Sequence, residues 1–330
     1  MGNSTSCAMN SSETVLHSFK KGWAARLEDA MHEAVTAQDA SPGRIAGDLI
    51  RHGGKRIRPQ LLFLCASLGE ADEELLVHAA AAIELLHVGS LLHDDVMDGA
   101  ATRRGAPSVN ALWGNAYAAT TGTHVLSCAM AELAHLPPDT VAAVAEAAFT
   151  VCSGQLRETE HVYDTELAAD EHLEIIRMKT ATLFGLPCRL GAELAGCDPD
   201  HVDALFRFGQ QLGIAFQLTD DLLDLVGDAA DLGKPTGTDL RAGVFSYAVL
   251  LALRQDPSGR LAALLRHEVL TAREAAEAAR LVRLSGTVDV TRELAHAYSA
   301  RAAAALAGLP EFPGHDALTD MPRRIVSRMR

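Results

Sequence analysis

The motif Asp-Asp-x-x-Asp occurs twice in this 330-residue chain, at residues 94–98 and 220–224. Each copy follows a long stretch in which apolar residues recur at helical spacing. At about 100° per residue, positions i, i+1 and i+4 of a helix fall within about a third of its circumference, so each motif forms one acidic face. Gly99 and Gly227 follow closely, which predicts that both acidic faces lie near helix C-termini.

Carboxylates are unfavourable at that end of a helix. The helix macrodipole and the mutual repulsion of like charges both destabilise them, and a bound divalent cation reverses this effect. Magnesium suits such a site because it takes oxygen ligands and often bridges one or two carboxylates to substrate phosphates. The motifs contain no His or Cys, which argues against zinc. One motif could be a solvated acidic patch, whereas two copies favour a metal site.

The rest of the sequence also favours helices. Ala and Leu are abundant, aromatic residues make up 5% of the chain, and strand-like alternation is hard to find. The predicted helices cover residues 16–35, 75–96, 141–156, 173–194, 202–226, 272–284 and 294–306. A hydrophobic content of 48% is enough for one large core. We therefore predict an all-α protein with a flexible N-terminal tail at residues 1–12 and a single domain at residues 13–330.

The overall charge and the cysteines narrow the classes of function. A formal net charge of −14 and the absence of a basic stripe argue against nucleic-acid binding. The six cysteines are spread singly and contain no CxxC pair, which is typical of free thiols in a reducing compartment. The first dozen residues lack the basic start and apolar stretch of a secretory signal, so we expect a cytoplasmic protein.

Basic residues collect in a short motif before the first acidic one. Residues 53–59 read Gly-Gly-Lys-Arg-Ile-Arg-Pro, a flexible turn leading to a proline suited to the first position of a helix over residues 61–68. Free backbone N–H groups at that helix start, with Lys55 and Arg58 beside them, would bind a diphosphate. The alternative is an ordinary basic loop.

Further basic residues follow both acidic motifs. Arg103 and Arg104 lie in the loop after the first motif, where they could hold a phosphate already bridged by magnesium or form salt bridges back to the neighbouring Asp residues. Lys179 and Thr180 interrupt the apolar helix at residues 173–194, and Lys234 lies about ten residues beyond the second motif. Either lysine alone would be an ordinary surface residue.

In this order, the motifs resemble those of the trans-isoprenyl diphosphate synthase family, the head-to-tail prenyltransferases that make farnesyl, geranylgeranyl and longer polyprenyl diphosphates. The resemblance runs from about residue 53 to residue 247. It rests on residues 53–59, 91–98, 103–105, 179–181, 216–224 and 233–235.

The resemblance implies an antiparallel helical bundle around a deep central cavity, usually a homodimer, with three magnesium ions between the acidic walls. It implies metal ligands at Asp94, Asp98, Asp220 and Asp224. The implied catalytic residues are Asp94, Asp95, Asp98, Arg103, Lys179, Asp220, Asp221 and Asp224. Isopentenyl diphosphate would be bound by Lys55, Arg58, His87 and Arg104. The allylic prenyl diphosphate would be bound by Arg103, Lys179, Thr180, Gln217 and Lys234.

The implied reaction follows from charge. Metals and basic residues stabilise the departing diphosphate, so the allylic carbon–oxygen bond ionises and the isopentenyl double bond attacks the cation. The proton is then lost to the released diphosphate, so no catalytic His or Glu is assigned. Val244 departs from the family pattern, because many members have a lysine there. In the family, the residues at positions 89 and 90 often form the floor under the growing prenyl chain. Gly89 and Ser90 offer no aromatic ring there, which predicts a product of at least twenty carbons. Because such a product is apolar, we expect it to be delivered to a membrane.

Three alternatives share part of this pattern. A class I terpene cyclase has the helical fold and the first acidic motif, but its second metal motif mixes Asn or Asp with Ser or Thr and Glu. A nucleotide pyrophosphatase would not need two symmetrical acidic motifs with separate cationic loops. A non-catalytic subunit of a heteromeric prenyl synthase is the third alternative, and the complete metal motifs argue against it.

Overall fold

The computed structural model describes residues 11–37, 41–51, 54–103, 105–227, 237–266 and 270–329, with side chains from residue 22 onward. In chain order, the described helices begin with α1 Ser11–Thr36, α2 Ser41–Arg51, α3 Ile57–Ala66, α4 Glu73–Met97, α5 Val109–Trp113, α6 Asn115–Leu133, α7 Pro138–Glu160, α8 Ala169–Ile176 and α9 Thr182–Leu194. The remaining α-helices are α10 Pro199–Val226, α11 Thr238–Ala242, α12 Tyr247–Gln255, α13 Arg260–Leu265, α14 Ala272–Leu284, α15 Thr287–Ala305 and α16 His315–Val326.

Three smaller elements complete the described chain. A π-helical turn, Arg177–Ala181, joins α8 to α9, and a 3₁₀ turn, Ser327–Met329, follows α16. Strands β1 Thr102–Arg103 and β2 Ala106–Pro107 form a short antiparallel hairpin. With 79% of the structure helical, the all-α prediction is confirmed.

The predicted helices are present, with some different boundaries. The stretch at residues 173–194 is helical throughout but contains the π-helical turn. Helix α3 begins at Ile57, so Pro59 lies inside the first turn, where its missing N–H has no helical acceptor to lose. Of the predicted tail, residues 1–10 lie outside the described residues, and α1 begins at Ser11, so the last two tail residues are helical.

Helix α4 is the centre of the first core cluster. Its residues Ala79 to Ala82 are fully buried, and their small side chains let α4 pack closely against α6. Among the described helices, α4 alone is long and apolar enough to cross a membrane, and 72% of its most apolar window is buried inside the protein. It ends at Met97 with Asp98 as the C-cap, as the first acidic motif predicts.

Helix α10 is the centre of the second core cluster. It packs against α9 and α15, with Leu205, Phe208 and Leu212 fully buried between them. A third cluster, around α12 and α14, covers the C-terminal part of α10. Because α10 ends at Val226, the second acidic motif also lies in the last turns of a buried helix.

Arg56 joins three N-terminal helices through two ion pairs and a hydrogen bond to a backbone oxygen. It adopts a left-handed backbone conformation with φ of 46°, uncommon for a residue other than glycine. Its guanidinium contacts Glu28 of α1 at 2.7 Å and Glu84 of α4 at 2.9 Å, and donates to the backbone oxygen of Ile50 in α2. Since only 3% of the Glu84 side chain is exposed, Arg56 neutralises a carboxylate that water cannot reach.

We predict that Arg56→Met lowers the free energy of unfolding by about 3 kcal/mol, because it leaves the Glu84 charge buried and unpaired. The control is Arg26→Met, which breaks an exposed pair with Glu73 and should cost less than about 1 kcal/mol. Urea unfolding followed by circular dichroism measures both values. Equal losses in the two variants would contradict the importance of the buried pair.

Candidate active site

A cavity of about 1090 Å³ lies where the C-terminal ends of α4 and α10 approach α7, the π-helical turn and residues 237–246. Both acidic motifs contribute to its wall, with Asp94 and Asp98 from α4 and with Asp220 and Asp221 from α10. The two motifs are more than 120 residues apart in the sequence. The fold therefore brings the two predicted acidic faces to one space.

Burial disfavours the ionised form of the carboxyl groups of Asp94 and Asp98 in the first acidic motif. It raises the pKa of Asp94 from 3.8 to about 6, with Lys179 opposing the shift and the charges of Asp98 and Glu158 adding to it. Burial also raises the pKa of Asp98 above its ordinary value. A cation at this wall would favour the ionised carboxylates and reverse both shifts.

The π-helical turn places Lys179 opposite these carboxylates. Such turns insert one residue into a helix and occur frequently at functional sites. Two glycines make room for it. A side chain on Gly154 of α7 would meet Met178, and one on Gly213 of α10 would meet the backbone of Ala181. The turn is therefore held closely between two helices.

Lys179 is largely shielded and paired. Its ammonium group contacts Glu158 of α7. Burial alone would lower the pKa of Lys179, but the charges of Glu158, Asp94 and Asp98 outweigh it and raise the pKa above its ordinary value. The lysine therefore stays protonated and supplies a fixed positive charge at the cavity wall.

Arg103 lines the cavity from the hairpin and also contacts Asp95. Its Nε donates to Oδ1 of Asp95 at 2.8 Å, and its Nη2 contacts the same oxygen. Of the two alternatives for this arginine, the structure contains the salt bridge to a neighbouring Asp, and phosphate binding stays a prediction. Asp95 is buried and does not line the cavity. The side chain observed in contact with its carboxylate is that of Arg103.

A chain of hydrogen bonds crosses the second acidic wall. The hydroxyl of Thr180 donates to Gln217 at 2.8 Å, and the Gln217 amide donates to Oδ1 of Asp221 at 2.7 Å. The other carboxylate oxygen, Oδ2, lies 3.6 Å from Nε2 of the buried His172. Neither of these two atoms has a hydrogen-bond partner in the described part of the chain. Asp221 thus keeps one buried oxygen available at the cavity.

Asp224 is placed differently from the other predicted metal ligands. It is buried and does not line the cavity. Its carboxylate accepts hydrogen bonds from the hydroxyl of Thr238 and, at 3.1 Å, from the backbone N–H of Asp239. Its backbone oxygen accepts from the N–H of Gly237 at 2.8 Å. Through these hydrogen bonds Asp224 fixes the start of α11 to the end of α10. Its role as a metal ligand stays a prediction.

The donor atoms at the cavity fit magnesium better than a softer metal. Most are carboxylate oxygens, from Asp94, Asp98, Glu158, Asp220, Asp221 and Asp239, and His172 adds one imidazole. Among the described residues, one oxygen of Asp221 has no hydrogen-bond partner. Within the described ranges, no three His, Cys, Asp or Glu residues converge closely enough to hold a metal ion. The described residues therefore supply only part of a coordination shell, which suits a metal that keeps waters and binds substrate phosphates.

Three of the residues predicted for isopentenyl diphosphate, Lys55, Arg58 and His87, do not line this cavity. Lys55 is exposed and borders a smaller apolar cavity of about 340 Å³. The Arg58 guanidinium lies 5.4 Å from the ring centroid of Phe184 in α9. His87 is partly buried on α4 and does not line the larger cavity. Arg104 and Lys234, predicted for the two substrates, lie outside the described residues.

The first of the two chain-length positions, Gly89, is packed closely against α6. A side chain on Gly89 would collide with Leu126 of α6, and the backbone oxygen of Gly122 is also close. The hydroxyl of Ser90 donates to the backbone of His87. Leu126 therefore fills the volume that the missing side chain of Gly89 leaves. The effect of Gly89 and Ser90 on product length stays a prediction.

Several residues at the site were missed by the sequence analysis. They are Glu158, His172, Asp239, Arg241 and Arg328. Glu158 lies two residues beyond the predicted end of its helix, so a longer helix would have found it. Arg328 lies 3.5 Å from Asp220 and 5.8 Å from the Phe216 ring centroid. It comes from the last described turn, more than 100 residues away, and had no local signal.

A family model described as polyprenyl synthetase matches residues 43–282 of the chain. Nonaprenyl diphosphate synthase of Mycobacterium tuberculosis is 36% identical over 307 residues, covering 92% of each chain. Heptaprenyl diphosphate synthase component 2 of Geobacillus stearothermophilus is 34% identical over 314 residues, covering 95% of this chain and 98% of the relative. The two relatives match nearly the whole chain.

Solved structures of related proteins also share the fold of this chain over nearly its whole length. A decaprenyl diphosphate synthase from Rhodobacter capsulatus superposes with a TM-score of 0.89 and 30% identity, covering 97% of this chain and 99% of that one. A polyprenyl synthase from Caulobacter crescentus, solved in complex with calcium and isoprenyl diphosphate, gives a TM-score of 0.88 and 32% identity. It covers 96% of this chain and 98% of its own.

We predict that Asp94→Asn stabilises the metal-free protein at about pH 7.5, by an amount on the order of 2 kcal/mol. The folded pKa of Asp94 is raised from 3.8 to about 6, so its contribution to stability is fully present below the unfolded value and is lost as the pH rises through the folded value. The difference between variant and wild type should therefore shrink towards about pH 4. Urea unfolding in a chelator, repeated across this pH range, measures it.

The control for this experiment is Asp203→Asn, which removes an exposed carboxylate early in α10. It should not reproduce the pH dependence. A difference between Asp94→Asn and wild type that stays constant from about pH 4 to about pH 7.5 would show that the Asp94 carboxyl has an ordinary pKa.

Proposed function

Because the chain belongs to the polyprenyl synthetase family, we propose that it is a magnesium-dependent prenyltransferase that couples isopentenyl diphosphate to an allylic prenyl diphosphate. The observation that supports this most directly is the meeting of two acidic helix ends at one cavity that Lys179 and Arg103 also line. This arrangement suits a diphosphate that is bridged to carboxylates by divalent cations.

Asp94 and Asp98 on one wall and Asp220 on the other would hold the metal ions, with Asp221 close by. When bound, magnesium supplies Lewis-acid stabilisation of a leaving diphosphate. The protein itself positions two cations for the same charge, Lys179 through the π-helical turn and Arg103 through the hairpin. Both are partly shielded from water, which strengthens their interaction with developing negative charge.

Ionisation of the allylic carbon–oxygen bond leaves the electron pair on the diphosphate and a carbocation on the prenyl chain. The isopentenyl double bond attacks this cation, and the resulting cation loses a proton to the released diphosphate. Apolar residues that line the cavity, Leu91, Ile175 and Ile176, would surround the prenyl chain without offering a nucleophile. We assign no side chain as the general base.

Lys55, Arg58, His87 and Arg104 remain the proposed ligands of isopentenyl diphosphate. Two aromatic rings join Arg58 to the second acidic wall. The ring of Phe184 lies under the Arg58 guanidinium and packs in a tilted arrangement, at a centroid distance of 5.1 Å, against Phe216 of α10. The isopentenyl site would then lie beside the larger cavity and not within it. That placement keeps two diphosphates apart, which reduces their mutual repulsion.

We propose a product of twenty or more carbons. The support comes from relatives named as nonaprenyl, heptaprenyl and geranylgeranyl diphosphate synthases. The experiment is incubation of the purified chain with magnesium, isopentenyl diphosphate and a series of allylic primers, followed by sizing of the dephosphorylated products. A product of ten or fifteen carbons would contradict the proposed length but not the prenyl transfer.

We predict that Asp220→Asn lowers kcat/KM for the condensation roughly 1000-fold, because a metal ligand at the leaving diphosphate is lost. Asp203→Asn, on the same helix but exposed and away from the cavity, should retain the wild-type rate. Circular dichroism checks that both variants fold. Retained turnover in Asp220→Asn, or a wild type that does not consume isopentenyl diphosphate, would overturn the proposed function.

A second candidate is a component of a heteromeric synthase. One relative is named as component 2 of a heptaprenyl diphosphate synthase, and it matches nearly the whole chain. A chain that binds the substrates but turns them over only with another protein would support this candidate. Turnover by the purified chain alone would support the homomeric enzyme.

We also propose that the enzyme is a homodimer. Helix α7 exposes a stripe of five small or apolar residues at alternating spacings of three and four, namely Ala142, Ala145, Phe149, Cys152 and Leu156. Phe149 is 74% exposed and Leu156 is 65% exposed. Alternating spacings of three and four are typical of the contact between two packed helices. In a two-fold dimer, the same stripe on a second copy of the chain would pack against this one.

We predict that the double variant Phe149→Glu and Leu156→Glu is monomeric, because it places four charges in a two-fold apolar seam. Leu284→Glu is the control, since Leu284 is 70% exposed on a different helix, α14. Sedimentation velocity measures the mass of each protein. A monomeric wild type, or a double variant that still dimerises, would exclude this surface as the interface.

A further inference from the structure

The segment of residues 237–246 forms one wall of the larger cavity and is fixed at both ends. Asp224 holds its start through the three hydrogen bonds to Gly237, Thr238 and Asp239. Tyr163 holds its other end, since its backbone N–H donates to the oxygen of Gly243 at 2.8 Å. Positions in this segment are therefore set accurately relative to the acidic walls.

Arg241 lies on this wall, in helix α11, and differs from the other cations of the cavity. Among the described residues, the basic side chains that line the cavity are Arg103, Lys179 and Arg241. The first two already contact carboxylates, Asp95 and Glu158. The Arg241 side chain donates through Nε to the backbone oxygen of Gly237 at 3.3 Å, and no carboxylate of the described chain forms a salt bridge with it.

Its guanidinium therefore keeps donors for another acceptor. The bond to Gly237 uses Nε and leaves the two terminal nitrogens, whose fork geometry suits two oxygens of one phosphate. The acidic groups on the cavity wall make an uncompensated anion unfavourable there, so a cation without its own carboxylate partner is the group best able to offset a bound diphosphate.

Val244 lies on the same wall, three residues from Arg241. The family that the sequence resembles often has a lysine at this position, and valine cannot supply its charge. We propose that Arg241 binds a phosphate oxygen of the allylic diphosphate and takes over the task of the lysine that Val244 replaces. This inference rests on the proposed function and adds a substrate-binding residue to it.

Arg241→Gln is the first test, because it removes the charge and keeps a polar side chain of similar reach. We expect the KM for the allylic diphosphate to rise roughly 10- to 100-fold, the loss expected for one charge-assisted contact, while the KM for isopentenyl diphosphate stays within about two-fold. Arg254→Gln, which changes an exposed arginine paired with Glu166 outside the cavity, is the matched control and should change neither value.

Val244→Lys in the Arg241→Gln background is the second test. A lysine on the same wall should recover most of the lost affinity for the allylic diphosphate, to within about five-fold of wild type. A merely structural role of Arg241 would not be rescued by a charge placed at residue 244. Arg241→Lys, which keeps the charge but not the fork, should fall between wild type and Arg241→Gln.

A binding measurement separates this inference from the proposed function. Calorimetric titration of inorganic pyrophosphate with magnesium into each variant needs no turnover, and Arg241→Gln should weaken the affinity by the same roughly 10- to 100-fold. If wild type does not couple the substrates, the proposed function fails and the titration still tests Arg241. Unchanged pyrophosphate affinity and allylic KM in folded Arg241→Gln, or no recovery with Val244→Lys, would overturn the role of Arg241.

Discussion

Repulsion among carboxylates at the ends of two buried helices is the interaction on which the site depends. Helices α4 and α10 are fixed by apolar packing along their lengths, so their C-terminal acidic faces cannot turn away from each other. The helix dipoles add to the repulsion, and the pKa values of Asp94 and Asp98 are raised as a result of burial. The fold thus sets up a charge arrangement that positive ligands relieve.

The two acidic motifs have the same spacing but divide their carboxylates differently. In the first motif the middle member, Asp95, points away from the cavity and holds Arg103 of the hairpin. In the second motif it is the last member, Asp224, that is buried and holds α11. Each motif therefore gives two carboxylates to the cavity and uses the third to fix a neighbouring segment that also lines it. The repeated sequence encodes both the site and part of its support.

The sequence predicted what depends on local pattern and missed what depends on contacts across the fold. Helix periodicity and the glycines after each motif were sufficient to place both acidic faces at helix ends. The pairing of Lys179 with Glu158 depends on a π-helical turn, which no local pattern indicated. The sequence showed that Gly89 offers no aromatic floor, but the neighbouring residues decide whether the space beside a glycine is open, and Leu126 of another helix occupies it. Arg241 had no local signal, because what distinguishes it is that no carboxylate of the described residues forms a salt bridge with it.

The charges at the cavity also explain why a diphosphate and its metal ions would bind together. Within the described residues, the protein does not bring three metal-ligating side chains to one point, so a metal alone would be held weakly. A diphosphate alone would face more acidic than basic groups on the cavity wall. Binding of the diphosphate therefore raises the affinity for the metal ions, and binding of the metal ions raises the affinity for the diphosphate. The two increases are equal by thermodynamic linkage. A prenyl chain without a diphosphate gains nothing from this coupling, so the site selects its substrates by their charged end and leaves the apolar end to the packing between helices.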